Sequence, residues 1–261
     1  MKKLIILSAA AALLLAASCG TTGGTRATSA AGKAVQALTM SDAQINGYVK
    51  QFVDESDKTN TVAPANSPYV TRLNKITKNI SGTGDINFKV YITKDVNAFA
   101  CADGSIRVYS GLMDIMSDDE VLGVLGHEIG HYECKHTKEA FKNSLYTSAI
   151  RDIIASTGNV AAALSDSALG DIGESFLSAR YSQKQEYEAD NYGYDFLKSH
   201  NVNPWAMAIA FEKLKAMEAS AGVKTTGMQQ LFSTHPDLDA RIKNMSARAT
   251  ADGFKRPAAS K

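Results

Sequence analysis

The hydrophobic positions of this chain fall mostly at helical spacing. Over residues 40–57 and 68–80 they recur three and four apart, which predicts two amphipathic helices. Residues 86–92 alternate apolar and polar like a strand. Two short apolar runs at 97–101 and 105–109 flank Ala102-Asp103-Gly104 and read as a hairpin. Helical periodicity returns over 117–136, 138–156, 171–198, 204–220 and 236–249, with Pro204 and Pro236 suited to first-turn positions. The pattern predicts an α+β domain that is predominantly helical and carries a small sheet. Residues 158–173, small and polar, form the expected mobile element, and residues 251–261 a frayed tail.

The first nineteen residues follow a different rule. Met1-Lys2-Lys3 is a basic start, and residues 4–17 are an apolar run too short to span a bilayer comfortably. The run ends at Ala16-Ala17-Ser18-Cys19, small residues before a cysteine, which resembles a bacterial lipobox. Cys19 is therefore the expected lipidated N-terminus after cleavage. Residues 20–37 open on a stretch rich in Gly, Thr, Ala and Ser and read as a flexible tether, leaving 38–250 as the folded domain. Gly20 stands where an aspartate would signal inner-membrane retention in enteric bacteria. The expected location is thus the outer membrane, facing the periplasm. No later segment is long and apolar enough to span.

Composition narrows the class further. A chain of 261 residues with 44% hydrophobic content can bury a sizeable core. A formal net charge of +1, with no basic run interleaved by aromatics, gives no sign of a nucleic-acid partner.

The chemistry concentrates at His127-Glu128-Ile129-Gly130-His131, an instance of H-E-x-x-H. On a helix, residues four apart leave the same face, so both imidazoles can hold one Zn²⁺. Glu128 lies between them, placed to act as general base on a metal-activated water. The helix has a good start: Ser117-Asp118-Asp119-Glu120 fits a capping box, with further acids in the first turn. A catalytic zinc site needs a third protein ligand and an open position. Glu186 and Asp190, four apart in Gln185-Glu186-Tyr187-Glu188-Ala189-Asp190, share a helix face that excludes Glu188. One of them suits a ligand, the other a partner to a ligating histidine. A solvated acidic face is the plain alternative.

HEIGH followed by E-x-E-A-D resembles the gluzincin metallopeptidases of the HtpX, BepA and LoiP type, to which the CaaX prenyl protease is related. The likeness is strongest to the lipid-anchored LoiP members. Asn97-Ala98-Phe99-Ala100 and the following hairpin resemble the family's edge strand, and Ser233-Thr234-His235-Pro236 with Arg241 and Ile242 resembles its S-T-H-P…R-I segment. Ala102-Asp103-Gly104 departs from the P-G-G of many members. The resemblance spans about residues 38–247. It implies a zincin-like fold whose edge strand borders the cleft, one Zn²⁺ per chain held by His127, His131 and Glu186, and Asp190 supporting His127. It also implies catalysis by Glu128 and two opposed roles for His235: donor to the oxyanion, or a fourth ligand that holds the enzyme latent.

The expected function is a membrane-anchored zinc metalloendopeptidase acting on unfolded or misassembled envelope proteins, taken up by strand addition along Asn97–Ala100. The competing class is a zinc-stabilised chaperone or binding lipoprotein without catalysis, against which Glu128 argues. Three further readings are bland. His136, nine residues from His127, falls on the opposite helix face and is expected at the surface or beside a ligand. His200 follows a helix end and receives no chemistry. Cys101 and Cys134 are free thiols or a bridged pair, which spacing alone leaves open.

Overall fold

The computed structural model describes residues 41–80, 86–147, 166–220 and 226–258. The leader, Cys19 and the tether lie outside these residues. Among the described residues no helix is long and apolar enough to cross a membrane.

Two helices open the domain, α1 (Asp42–Thr59) and α2 (Pro68–Thr77). Ser41 caps α1 through a reciprocal pair with Gln44, and Ser67 caps α2 ahead of a first-turn proline. The strands β1 (Asn87–Tyr91), β2 (Ala98–Ala100) and β3 (Ser105–Tyr109) follow, and form a mixed sheet in the order β1-β3-β2. The expected hairpin is the antiparallel pair β2–β3, with Ala98 opposite Val108 and Ala100 opposite Ile106. β1 runs parallel to β3 on its other side. β2 is thus an edge.

The rest is helical: α3 (Ser110–Ile115), α4 (Asp118–Glu133), α5 (His136–Thr147), α6 (Asp166–Leu177), α7 (Gln183–Ser199), α8 (Trp205–Ala219), α9 (Thr226–Thr234) and α10 (Leu238–Ala251). α4 is buried continuously from Glu120 to His131. An apolar helix without a polar face needs cover on all sides, and α7, α8 and β2 supply it. The main core joins α4, the sheet, α8 and α10; a second cluster, with Phe52, Phe141 and Phe176 at its centre, binds α1 to α5 and α6.

The helices α4 and α7 meet backbone to backbone at three glycines. A Cβ on Gly130 would lie 2.8 Å from the Ala189 carbonyl oxygen, and one on Gly193 would lie 2.9 Å from the His127 nitrogen. A Cβ on Gly126 would meet the Phe196 ring at 2.9 Å. Each substitution would force this seam open.

Several expectations need correction. The segment expected as one helix over 171–198 is two, α6 and α7, broken at 178–182 where Ser182 starts a new capping box with Gln185. Residues 166–173, assigned to a mobile element, open α6, and a Cβ on Gly173 would strike Phe52 at 2.5 Å; residues 158–165 lie outside the described residues. Pro204 is the N-cap of α8, and Pro236 precedes the N-cap Asp237 of α10, so neither is in a first turn. The helices α3 and α9 were not anticipated. Cys101 and Cys134 are both free, the first buried and the second exposed.

Candidate metal centre

The site is built where α4, α7 and the α9–α10 junction converge beside β2. The capping box of Ser117 and Glu120 fixes the start of α4, and two and a half turns later His127 and His131 leave the same face. Their Nε2 atoms lie 3.0 Å apart. Glu186, in the first turn of α7, puts Oε1 at 3.3 Å from His131 Nε2 and Oε2 at 3.7 Å from His127 Nε2. His235, just past the end of α9, brings Nδ1 to 3.1 Å from Glu186 Oε1 and 3.3 Å from His127 Nε2. These four buried side chains offer donor atoms within 4.8 Å of one another.

The donor set fits a tetrahedral metal site. Bonds of about 2.0–2.1 Å set tetrahedral ligand atoms roughly 3.3 Å apart, close to the separations here. The tautomers agree as well. His127 Nδ1 donates to Asp190 Oδ1 at 2.8 Å, so its Nε2 presents a lone pair. His131 Nε2, at 3.0 Å, shares a cation with that lone pair when it too is bare. Glu186 Oε2, buried, is shared between the donor set, at 3.7 Å from His127 Nε2, and the Arg241 guanidinium.

Arg241 of α10 holds the acids in place. Its Nε and Nη2 grip the two oxygens of Asp190 at 2.8 and 2.7 Å, Nη1 lies 2.6 Å from Glu186 Oε2, and the guanidinium stacks on Phe211. Burial alone would raise both carboxyls. For Glu186 the charges of His235 and Arg241 outweigh it and hold the group well below the usual carboxylate range. For Asp190 the charge and hydrogen bonds of Arg241, with the hydrogen bond from His127, outweigh burial and lower the group. Burial drives His131 well below the ordinary imidazole value, keeping it neutral as a ligand must be. His235 shifts the other way: burial opposes its charge, but Glu186 overcomes this and raises it.

Glu128 stands outside the donor set. Its Oε2 accepts the Ala100 amide at 3.0 Å, and Oε1 is 3.9 Å from His235 Nε2. Burial raises its pKa against the pull of His235 and His127, as suits a base that must hold and release a proton. On β2, Asn97 and Cys101 pair with β3 through Tyr109 and Ser105, so by antiparallel alternation Ala98 and Ala100 turn outward. The cleft they border is lined by Asn97–Ala100, Glu128, Tyr181 and His235. Across it the Asn97 amide donates to Gln230 Oε1, and Gln230 donates in turn to the Leu177 carbonyl.

Every site residue expected from the sequence within the described region meets at this place; Cys19 lies outside it. One was missed. Tyr181 stacks on His131, ring centroids 3.9 Å apart; it sits in the unforeseen break between α6 and α7. His136 lies beside a candidate ligand, one of its two expected settings, but not on an opposite face. α4 ends at Glu133, and Lys135 turns the chain with φ of 65°, so that buried His136 lies 3.1 Å from His131. A lysine in that left-handed position gives none of the usual signal that Gly or Asn would. His200 closes α7 and packs on Phe196, away from the cleft.

A helical α+β fold whose small sheet ends beside an inward-facing His–Glu–His helix defines the zincin-like class. A family model, Peptidase family M48, matches residues 69–249, and the chain belongs to that family. It is 43% identical over 231 residues to metalloprotease LoiP of Escherichia coli (strain K12), covering 87% of this chain and 89% of that protein. It is 42% identical over 219 residues to metalloprotease YcaL of the same organism, covering 82% and 84%. A more distant relative is the mitochondrial metalloendopeptidase OMA1 of Arabidopsis thaliana, 30% identical over 60% of this chain and 31% of its own length.

Proposed function

We propose that the protein is a zinc metalloendopeptidase in which His127, His131 and Glu186 hold the metal and Glu128 is the general base. The convergence of these three donors on one point, with Glu128 beside it and not in it, carries the reading. Zinc, when bound, supplies a Lewis acid for the scissile carbonyl and lowers the pKa of the attacking water. Glu128 takes the proton of that water and returns it to the leaving amine. Asp190 fixes the tautomer and orientation of His127, and Arg241 fixes Asp190 and Glu186. An extended substrate segment pairs with the outward edge of Ala98 and Ala100, which favours unfolded or misassembled chains over folded ones. Incubating the purified protein with casein, with and without zinc, and locating cuts by mass spectrometry tests the activity. Absence of cleavage in zinc-loaded protein, with His235 replaced as well as present, would refute it.

His235 is read as a fourth ligand that holds the resting enzyme latent. Its Nδ1 stands among the metal donors, which supports this role over oxyanion donation. Anchoring through lipid on Cys19 at the outer membrane, with quality control of envelope proteins as the task, completes the proposal. Cell fractionation, with the mass of the N-terminal peptide, checks the anchor. Recovery in the soluble periplasm, without added mass at Cys19, would leave an ordinary secreted enzyme.

A further inference from the structure

The helix α7 places Glu188 on the side away from Glu186 and Asp190, where it would be a solvated spectator. Instead its Oε2 lies 3.1 Å from His136 Nε2, and His136 Nδ1 lies 3.1 Å from His131 Nδ1. His136 is 4% exposed and His131 fully buried, whereas the Glu188 side chain is 40% exposed, with Lys184 at 3.6 Å from its other oxygen. We infer that Glu188 and His136 form a positioning chain that fixes the tautomer and orientation of His131 for metal binding, the counterpart of Asp190 on His127. The inference rests on the metal reading above.

Hydrogen-bond polarity determines the direction of the chain. A carboxylate only accepts, so His136 Nε2 carries the hydrogen it donates to Glu188. Neutral His136 then has a bare Nδ1, which accepts from His131 Nδ1–H. His131 Nε2 is left with its lone pair, and this is the atom 3.0 Å from His127 Nε2 and 3.3 Å from Glu186 Oε1. Neither step needs a change of protonation. Without Glu188, His136 can present Nδ1–H to His131 instead, which favours the other tautomer and turns a hydrogen, not a lone pair, toward the metal.

The two imidazoles of the H-E-x-x-H helix are thus oriented by different routes. His127 has a carboxylate directly on it, braced by Arg241. His131 reaches its carboxylate through a second imidazole, which the turn at Lys135 folds back beneath it. Tyr181, stacked on the face of the His131 ring, limits its rotation but offers it no tautomer preference.

Zinc affinity by competition with a chromogenic chelator tests this without reference to turnover. Loss of such a partner typically weakens metal about 10–100-fold, and that range is expected for Glu188→Ala and His136→Ala. Glu188→Gln, which can still accept from His136, should recover most of the affinity. The double variant should be no weaker than His136→Ala alone, since both act through one chain. Tyr187→Ala, on the exposed neighbour in α7, should match wild type. Glu188→Ala is the safer probe of fold, being partly exposed, and its Tm without metal should be close to wild type. Nitrogen-15 NMR of labelled histidines should find His131 with a bare Nε2 in wild type and a mixture of tautomers in metal-free Glu188→Ala. Wild-type zinc affinity in Glu188→Ala, or an equal loss in Tyr187→Ala, would overturn the chain alone. Wild-type protein that binds zinc no better than His127→Ala would overturn the metal reading and the chain with it.

Discussion

The Ala100 amide donates to Glu128 Oε2 at 3.0 Å. The proposed base is thereby fastened to the outward edge of the strand proposed to hold the substrate. A peptide pairing with the carbonyls of this edge approaches the same carboxylate, so the proposed recognition and the proposed proton transfer meet at one residue of the strand. The bond holds Oε2 of Glu128 on the strand, outside the donor set.

Glu128→Gln preserves an acceptor for Ala100 and removes the base. Turnover should fall about 10²–10⁴-fold while zinc content stays at the wild-type level. Zinc analysis alongside a casein digestion assay reads both. Wild-type cleavage at equal zinc content would remove Glu128 from the mechanism.

His235→Ala distinguishes the two roles open to that residue. As a latency ligand its loss should raise the rate of cleavage; as an oxyanion donor its loss should lower kcat about 10²–10³-fold. The contact with Glu186 favours the first. A rate that falls with unchanged zinc affinity would reverse that choice.

Gly130→Ala tests the seam between α4 and α7. Alanine is the better helix former, yet its Cβ would meet backbone atoms of Ala189 at 2.8 and 2.9 Å, which cannot rotate away. A cost of about 1–3 kcal/mol in unfolding free energy is expected for such overpacking, with weaker zinc binding because Glu186 and His131 move apart. Urea unfolding and chelator competition measure the two. A more stable variant with unchanged zinc affinity would show that the seam has slack.

Acid sensitivity should come in part from Asp57. This carboxylate accepts from Arg107, Lys89 and Tyr91, and Arg107 is only 1% exposed. Burial would raise the Asp57 pKa, but these partners outweigh it and lower it. A group with a depressed folded pKa stabilises above its unfolded value, about 3.9, and loses that contribution as pH falls through the folded value. Asp57→Asn should therefore cost about 3 kcal/mol at pH 7, as expected for breaking a buried pair, and progressively less below about pH 4. Urea titrations at neutral and acid pH give the difference. A gap between the proteins that stays constant with pH would exclude Asp57 as the source.

Where the sequence was legible, one local signal sufficed. His127, Glu128 and His131 needed only helical spacing, and the Ser117 capping box fixed the register of their helix. The break at 178–182 carried an equivalent signal, Ser182 with Gln185 three residues on, but the helical periodicity on both sides hid it. The bond between His136 and His131 depended on a left-handed lysine that sequence does not announce. The Asp57–Arg107 pair joins residues fifty apart, and no spacing rule reaches that far. The role of Arg241 emerged only once α10 was laid across α7.

The contact of α4 with α7 through Gly126, Gly130 and Gly193 has a thermodynamic consequence. Where helices touch main chain to main chain, few torsions remain by which the span between His131 and Glu186 could drift. The conformational entropy of arranging these ligands is then lost when the chain folds, before any ion arrives. A zinc finger is the opposite case, folding only as it captures its metal. Chelated protein should accordingly keep its secondary structure and its cooperative unfolding transition, and recover its metal without a refolding phase.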